Sequence, residues 1–222
     1  MLDESDQPKT MRQRYRSEVR AQIKELAEHQ LATVGPTGLS LSAIARELGT
    51  SAPALYRYFD SRDALLTELV IDAYNDLAEI LSTELGKAAG ASTESPTTFL
   101  RAYRSWATEH PHRYRLLFQS PVPGFDPNAG ALVEAAQRSM NLLISTLSTQ
   151  PPDLDLPKVF SEQLSTWAIQ NVPDTQTATA LRATLIWSHI HGFVSLEIAN
   201  IYATMGIDAD ALFEIQLQME DQ

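Results

Sequence analysis

Apolar residues recur at the spacing of an α-helix along almost the whole of this 222-residue chain. Leu41, Ile44, Ala45 and Leu48, for example, follow one another at i, i+3, i+4 and i+7. No segment alternates apolar and polar residues for long enough to indicate a strand. Because 44% of the residues are hydrophobic and only 9 are glycine, the composition is that of an ordinary globular protein. The sequence therefore predicts an all-α fold.

Capping residues and helix breakers indicate where the helices begin and end. Glycine and proline at 35–38 end the first helix. Ser40 is the expected N-cap of a two-turn helix that Gly49 stops. The predicted helices span about 10–34, 41–48, 51–59, 61–85, 97–110, 111–119, 128–149, 157–171, 174–204 and 207–219.

These helices divide into two predicted domains. Residues 1–60 form an N-terminal three-helix domain, and residues 61–222 form a larger C-terminal helical domain. The helix of about 61–85 connects them, and the segment GKAAGASTESP (86–96) separates it from the rest. The C-terminal part is long enough to enclose a ligand cavity.

Charge is unevenly distributed along the chain. The net charge is −11, which argues against nucleic acid as a partner, but residues 9–62 carry nine Lys or Arg against five Asp or Glu. Residues 63–222 carry eight basic residues against twenty acidic ones. One end of an acidic protein is thus locally basic.

The absence of cysteine excludes disulfides and thiolate zinc sites and is natural in a reducing compartment. The start MLDESDQPKTM is acidic, unlike a signal peptide, and no apolar run approaches the length of a membrane span. We therefore expect a soluble, cytoplasmic protein.

The stretch SAPALYRYF (51–59) has the properties of a DNA-recognition helix. On a helical wheel Leu55 and Phe59 face the core, so that Arg57 points outward with Tyr56 and Tyr58 on its flanks. A two-turn helix is not stable alone, so the two preceding helices must hold it. Two short helices joined by a tight glycine turn form a helix-turn-helix, whose second helix enters the DNA major groove.

Each exposed residue type in this stretch has a suitable DNA partner. Arg57 can donate two hydrogen bonds to guanine, and tyrosine hydroxyls can reach phosphates. Pro53 and Ala54 can pack on a thymine methyl group, and Arg62 can neutralise a phosphate. The alternative is that the tyrosines pack against neighbouring helices and Arg57 is merely solvated.

The segment LSLSAIARELGTSAPALYRYFDSRDALL (39–66) resembles the signature of the TetR/AcrR family of bacterial transcriptional regulators. The resemblance spans about residues 10–70. It implies a helix-turn-helix domain whose DNA contacts fall on Ser42, Ser51, Ala52, Pro53, Ala54, Tyr56, Arg57, Tyr58 and Arg62. Tyr58 stands where the family often has His, and Arg62 where it usually has Lys.

The segments EHPHRYRLLF (109–118) and WSHIHGFVSLE (187–197) look like a subclass whose ligand domain carries a Trp…His-Gly motif. Aromatic residues and methionine with a few polar groups suit a mostly apolar effector. The candidates for lining its cavity are Tyr103, Trp106, His110, Phe118, Met140, Trp187 and His191. The alternative is that they fill the core without any ligand.

Small residues recur along the predicted helix of 174–204, where they would let another helix approach closely. The family dimerises through its last long helices, which implies this role for the helices of 157–171 and 174–204. The candidate dimer residues are Trp167, Ser188, Gly192, Ser195 and Ala199. A dimer would hold two recognition helices about 34 Å apart, the spacing of a palindrome. The alternative is a seam packed within one subunit.

Neither an enzyme nor a metal site is indicated. His189 and His191 lie on opposite sides of a helix and cannot share a metal ion. His110 and His112 could, but no third ligand is evident. There is no glycine-rich phosphate loop, nucleophile elbow or helical His-Glu-x-x-His, so no cofactor is expected.

The sequence thus predicts a homodimeric, ligand-responsive transcriptional regulator, most simply a repressor, that binds a palindromic DNA operator and is released by a small effector. The rival is a helical adaptor for small molecules or proteins that does not read DNA.

Overall fold

The computed structural model describes residues 10–89, 96–119, 130–147, 156–173 and 175–220. The helices, in chain order, are α1 (Met11–Val34), α2 (Leu41–Glu47), α3 (Ala52–Leu55), α4 (Arg62–Ala89), α5 (Pro96–Glu109), α6 (Pro111–Phe118), α7 (Gly130–Ser145), α8 (Lys158–Asn171), α9 (Thr177–Ile198), α10 (Ile201–Thr204) and α11 (Ala209–Glu220). A short 3-10 helix, Pro36–Gly38, follows α1. Since no strand occurs in the described ranges, the all-α prediction is confirmed.

Capping residues mark the first two helices, and the two that the sequence predicts, at 35 and 40, are present. Thr10 accepts a hydrogen bond from the Gln13 backbone N–H, while the Gln13 side chain accepts one from the Thr10 N–H, so the two form a capping box. Gly35, at a φ of 72°, ends α1. The Ser40 side chain accepts from the backbone N–H of Ala43 and thereby begins α2.

The structure departs from the predicted helices in two places. The stretch predicted as a helix over 51–59 is α-helical only from Ala52 to Leu55 and continues as turns to Tyr58. The helix predicted over 174–204 breaks at Asn200, whose φ of 61° lies in the left-handed region. Asparagine tolerates that conformation better than most residues, and the chain restarts there as α10.

The chain forms two compact units. The first contains the described residues up to Val70 together with 115–119, and the second contains 71–114 and the described residues beyond 130. Buried side chains from helices α1 to α4 and from the segments that connect them form the core of the first unit. These include Ile23, Ala27, Leu31, Leu39, Leu41, Ile44, Leu55, Phe59, Leu65 and Leu69.

The core of the second unit is richer in aromatic residues. Its largest fully buried side chains are Trp106, Tyr103, Tyr114, Phe99 and Phe213. A separate apolar cluster joins α8 to α9 and contains Leu164, Ala168, Val172, Ala180 and Leu181. In the part of the chain that the structure describes, no helix is both long and apolar enough to cross a membrane.

Candidate nucleic-acid interface

Residues Ala52–Tyr58, here called the recognition segment, are fixed to the first unit by two side chains. Leu55 and Phe59 are only 1% and 2% exposed, as the helical wheel predicts. Gly49, at a φ of 66°, makes the tight turn from α2. The Thr50 N–H donates to the Ala45 carbonyl at 2.9 Å and closes the turn. The segment is therefore rigidly placed although it contains a single helical turn.

The remaining side chains of the segment face outward to different degrees. Tyr56 is 52% exposed, and Pro53 and Arg57 are exposed as well. Ala52, Ala54 and Tyr58 are half-buried. Ser42, in the first turn of α2, and Ser51, just before α3, are exposed. The recognition segment thus presents a guanidinium, a phenol and a small apolar surface to solvent.

Two arginines of α1 hold the end of the recognition segment, a role that the sequence reasoning missed. Arg20 donates to the Tyr58 carbonyl, pairs with Glu68, and lies 4.2 Å from the centre of the Phe59 ring. Arg16 donates to the Arg57 carbonyl at 3.4 Å. These carbonyls lie just beyond the short helix, where a helix leaves such groups without partners. The only sequence signal was the basic start of the first helix.

Arg62, a predicted phosphate contact, uses much of its guanidinium within the first unit. Its Nε donates to the Leu39 carbonyl at 3.0 Å, and a terminal nitrogen donates to the Pro36 carbonyl. The side chain is also 3.5 Å from the Asp63 carboxylate and is 32% exposed. Arg62 therefore ties α4 to the end of the 3-10 helix, and its contact with phosphate stays a prediction.

The second unit brings together three of the predicted effector-lining residues. The ring centres of Trp187 and His191 are 4.6 Å apart, and Tyr103 lies 5.4 Å from Trp187 and 5.5 Å from His191. Trp106 and His110 form a neighbouring pair at 6.2 Å. Because Tyr103 is fully buried, these aromatic rings pack on one another as well as being candidates for binding a ligand.

The other two predicted lining residues lie elsewhere. Met140 packs against the apolar cluster of α8 and α9. Phe118 is the last residue of α6 and belongs to the first unit. The roles of Phe118 and Met140 in lining an effector cavity stay predictions.

His191 is surrounded by two tyrosine hydroxyls. Its Nε2 is 3.1 Å from the Tyr103 hydroxyl, and its Nδ1 is 3.3 Å from the Tyr114 hydroxyl. The Tyr114 hydroxyl also donates to the His191 carbonyl at 3.2 Å. A neutral imidazole that accepts at Nε2 and donates at Nδ1 satisfies this arrangement.

Burial shifts the pKa of each of these three groups in the direction that favours its uncharged form. It lowers the pKa of His191 to about 4 and raises the pKa of Tyr114 to about 12. Burial also raises the pKa of Tyr103 well above its ordinary value, with smaller contributions from Tyr114 and Tyr74. Tyr114 was missed as a site candidate, although it stands in the quoted segment EHPHRYRLLF.

Asp76 of α4 is a second polar centre that the sequence reasoning missed. It accepts from the Trp106 indole N–H at 2.8 Å and from Arg113 at 2.7 Å. Nearby on the same helix, Asn75 accepts from Arg138 of α7 at 2.8 Å. A groove of about 560 Å³ lies along these two helices and has a mixed polar and apolar lining.

The predicted dimer residues lie on an outer face of the second unit. Ser188, Gly192 and Ala199 are exposed, and Ser195 and Trp167 are half-buried. A Cβ at Gly192 would have no packing neighbour within 4 Å, so the row of small residues is uncovered at this position. Exposed apolar side chains stand on the same two helices, namely Val159, Phe160, Ile169, Leu185 and Leu196.

No group of three or more potential metal ligands occurs among the described residues. His110 and His112 do approach each other, with ring centres 6.5 Å apart.

Comparison with known proteins covers both units. Residues 23–69 match the family model for bacterial regulatory proteins of the tetR family, and residues 97–219 match the model for a tetracyclin repressor-like C-terminal domain. The HTH-type transcriptional regulator Rv1816 of Mycobacterium tuberculosis is 33% identical over 92% of this chain and 91% of its own length. The regulator Mb1846 of Mycobacterium bovis matches equally well.

Two solved structures have the same fold. The crystal structure of the protein SCO4313 is 38% identical, with a TM-score of 0.80, and the match covers 96% of this chain and 98% of that one. A protein of unknown function from Rhodococcus sp. RHA1 is 22% identical, with a TM-score of 0.66, over 98% and 96% of the two chains.

Proposed function

Because this chain belongs to the TetR family of bacterial regulatory proteins, we propose that it is a homodimeric transcriptional repressor that binds a palindromic operator and releases it when a small, mostly apolar effector binds the second unit. Transcriptional regulation, and not catalysis, is the function of this family and of the named relatives. To this family function the proposal adds repression, a palindromic operator, a small effector and a cytoplasmic location.

The observation that carries the proposal is the recognition segment. It presents Tyr56 and Arg57 to solvent while Leu55 and Phe59 anchor it, and the carbonyls at its end are bound by arginines of α1. A rigid segment of this kind can enter a major groove without losing further conformational freedom. Arg57 is the side chain best suited to read a base, because a guanidinium matches the O6 and N7 atoms of guanine.

The exposed face of α8 and α9 supports the dimer. Leucine, isoleucine and phenylalanine side chains are exposed there beside small residues at Ser188, Gly192 and Ala199, and a second copy of the chain would cover them. A two-fold symmetric dimer presents its two recognition segments to a two-fold symmetric DNA site.

The aromatic group of the second unit supports an effector that is largely apolar. Trp187 and His191 are half-buried beside the fully buried Tyr103, and this aromatic surrounding with a few uncharged polar atoms suits an apolar ligand. Helix α4 runs without a break from Arg62 to Ala89, so it contributes residues to both units. An effector that prefers one placement of α4 would shift the population away from the form that fits the operator.

The proposal is tested by affinity enrichment of fragmented genomic DNA with the purified protein, followed by sequencing. We expect one palindromic sequence to be enriched. A reporter driven by a promoter that contains the palindrome should then be less active in the presence of the protein. Enrichment of no sequence at low salt would leave the adaptor function as the better account, and increased reporter activity would replace repression by activation.

Arg57→Ala tests the base contact on the enriched operator. We expect affinity to fall by about 1–3 kcal/mol, with the loss concentrated at one base pair of each half-site. Binding to a full set of single-base operator variants measures this. Arg46→Ala, which removes an exposed arginine from the last turn of α2, is the control. An equal loss on every operator variant would reassign Arg57 to a phosphate.

A further inference from the structure

The recognition segment shares a groove with the first half of α1. The groove has a volume of about 480 Å³ and lies within the first unit. From the recognition segment it is lined by Ala54, Leu55, Arg57 and Tyr58, and from the preceding turn by Leu48 and Thr50. The side contributed by α1 consists of Arg12, Tyr15, Arg16, Val19 and Gln22.

The residues that α1 contributes form a single stripe. Arg12, Arg16 and Val19 are spaced at i, i+4 and i+7, which places them on one face of the helix. Arg12 and Arg16 are exposed, and Tyr15 is 64% exposed. Arg14 lies between them in sequence but on the opposite face, and it does not line the groove.

The charged side chains that line this groove are all cationic. Guanidinium groups reach it from Arg12, Arg16 and Arg57, and none of the three takes part in an ion pair within the described residues. The phenol groups of Tyr15 and Tyr58 add hydrogen-bond donors beside them. Such a lining binds an anion with several oxygen atoms, as a phosphate of the DNA backbone has.

The position of the groove fits this occupant. A segment that enters the major groove has a sugar-phosphate strand on either side, and contacts to these strands fix its register. Arg12, Tyr15 and Arg16, here called the α1 stripe, lie beside the C-terminal end of the recognition segment, because Arg16 donates a hydrogen bond to the Arg57 carbonyl. A strand that passes this end of the segment therefore runs along α1.

We propose that the α1 stripe of Arg12, Tyr15 and Arg16 is a second DNA-binding element, which binds backbone phosphates beside the bases that the recognition segment reads. This proposal rests on the function proposed above, since it requires the recognition segment to enter DNA. It assigns to α1 a role in affinity and register, and none in base selection.

The test compares Arg12→Gln with Arg14→Gln on the enriched operator, in the full-length protein. Both substitutions remove one positive charge from an exposed position of the same helical turn, and both keep the Thr10–Gln13 capping box. Operator affinity is measured by fluorescence anisotropy across a range of salt concentrations. Unfolding temperatures of both variants verify that the first unit is intact.

For Arg12→Gln we expect a shallower salt dependence. One lost phosphate contact in each subunit lowers the slope of log affinity against log salt by about 1.8 per dimer. The affinity advantage of the parent protein over the variant should therefore shrink by about tenfold between about 50 and about 200 mM salt. Arg14→Gln should keep the slope of the parent. Selectivity between the operator and its single-base variants should be unchanged in both.

Three results would overturn the inference. Equal slopes for the parent and Arg12→Gln would mean that the stripe does not touch phosphate. If Arg12→Gln and Arg14→Gln lower the salt slope equally, the stripe acts only through its long-range charge and does not contact phosphate. Loss of selectivity at one base pair in Arg12→Gln would make Arg12 a base contact. Failure of the proposed function is distinguishable, because the parent protein itself would then show no preference for any operator.

Discussion

His191 should make the stability of this protein fall as the pH is lowered from 7 to 5. Burial lowers the pKa of its imidazole to about 4, whereas a solvated histidine titrates near 6.5. The unfolded chain therefore takes up a proton at a higher pH than the folded protein. The stabilisation is fully present above about pH 6.5 and is lost as the pH falls towards 4.

The magnitude follows from the two pKa values. At 1.36 kcal/mol for each pH unit between them, complete protonation of the unfolded chain removes about 3 kcal/mol from the free energy of unfolding. About 2 kcal/mol of this is lost by pH 5. For a chain of this length that corresponds to a decrease of roughly 4–8 °C in the unfolding temperature.

His191→Gln removes the titrating group while keeping an amide that can bond to the hydroxyls of Tyr103 and Tyr114. We expect its free energy of unfolding to depend less on pH than that of the parent, by about 2 kcal/mol between pH 7 and 5. Denaturation by guanidinium chloride at one fixed protein concentration measures this. Tryptophan fluorescence reports on the second unit, because all three tryptophans belong to it.

His189→Gln is the matched control, since it removes an exposed imidazole from the same helix. It should keep the pH dependence of the parent, because His191 still titrates in it. If the parent and His191→Gln lose stability in parallel between pH 7 and 5, the imidazole of His191 is not held neutral by burial, and the hydrogen-bond scheme with Tyr103 and Tyr114 is wrong.

Two matched pairs of substitutions test the glycine turn of the first unit and an ion pair of the second. Gly49→Ala should destabilise the first unit by about 1 kcal/mol, because the φ of 66° strains any residue with a Cβ even though no atom crowds the position. Gly86→Ala, in helix α4, should instead stabilise the protein by up to about 1 kcal/mol. Thermal unfolding of the two variants measures the contrast. Arg104→Ala should lower the free energy of unfolding by about 2–4 kcal/mol. It leaves the Glu197 carboxylate, which is only 17% exposed, without its partner, and it removes a cation 4.7 Å from the Phe213 ring. Arg101→Ala, which breaks a more exposed pair with Glu214, should change denaturant stability little, and equal losses for the two arginines would contradict the role of burial.

Local chemistry made the first unit predictable. The cap at Ser40, the left-handed glycine at Gly49 and the inward faces of Leu55 and Phe59 depend on neighbours a few residues away, and each is present in the structure. The extent of the recognition helix was overestimated. Its last carbonyls bond to Arg16 and Arg20, which lie 41 and 38 residues earlier, and no local pattern contains that information.

Distance along the chain also explains what was missed in the second unit. Tyr103 and Tyr114 meet His191 across 88 and 77 residues, and Trp106 meets Asp76 across 30. Residue type alone identified Tyr103, Trp187 and His191 as candidates for lining a cavity, because aromatic side chains suit an apolar ligand. The choice of hydrogen-bond partner is not periodic, so no sequence pattern identified Tyr114 or Asp76 as site residues.

The net charge of −11 shapes how such a protein can bind DNA. Only the segment from residue 9 to residue 62 is basic, and the acidic remainder repels a polyanion over a range set by the Debye length, about 10 Å at 0.1 M salt. Direct contacts, such as those offered by Arg57 and the α1 stripe, offset this repulsion at close range, although the phosphate contacts among them weaken as salt is added. Non-specific DNA experiences the same repulsion but cannot form the base contacts that offset it. An acidic regulator of this design should therefore bind bulk DNA weakly and depend for its operator on the close contacts of Arg57 and the α1 stripe.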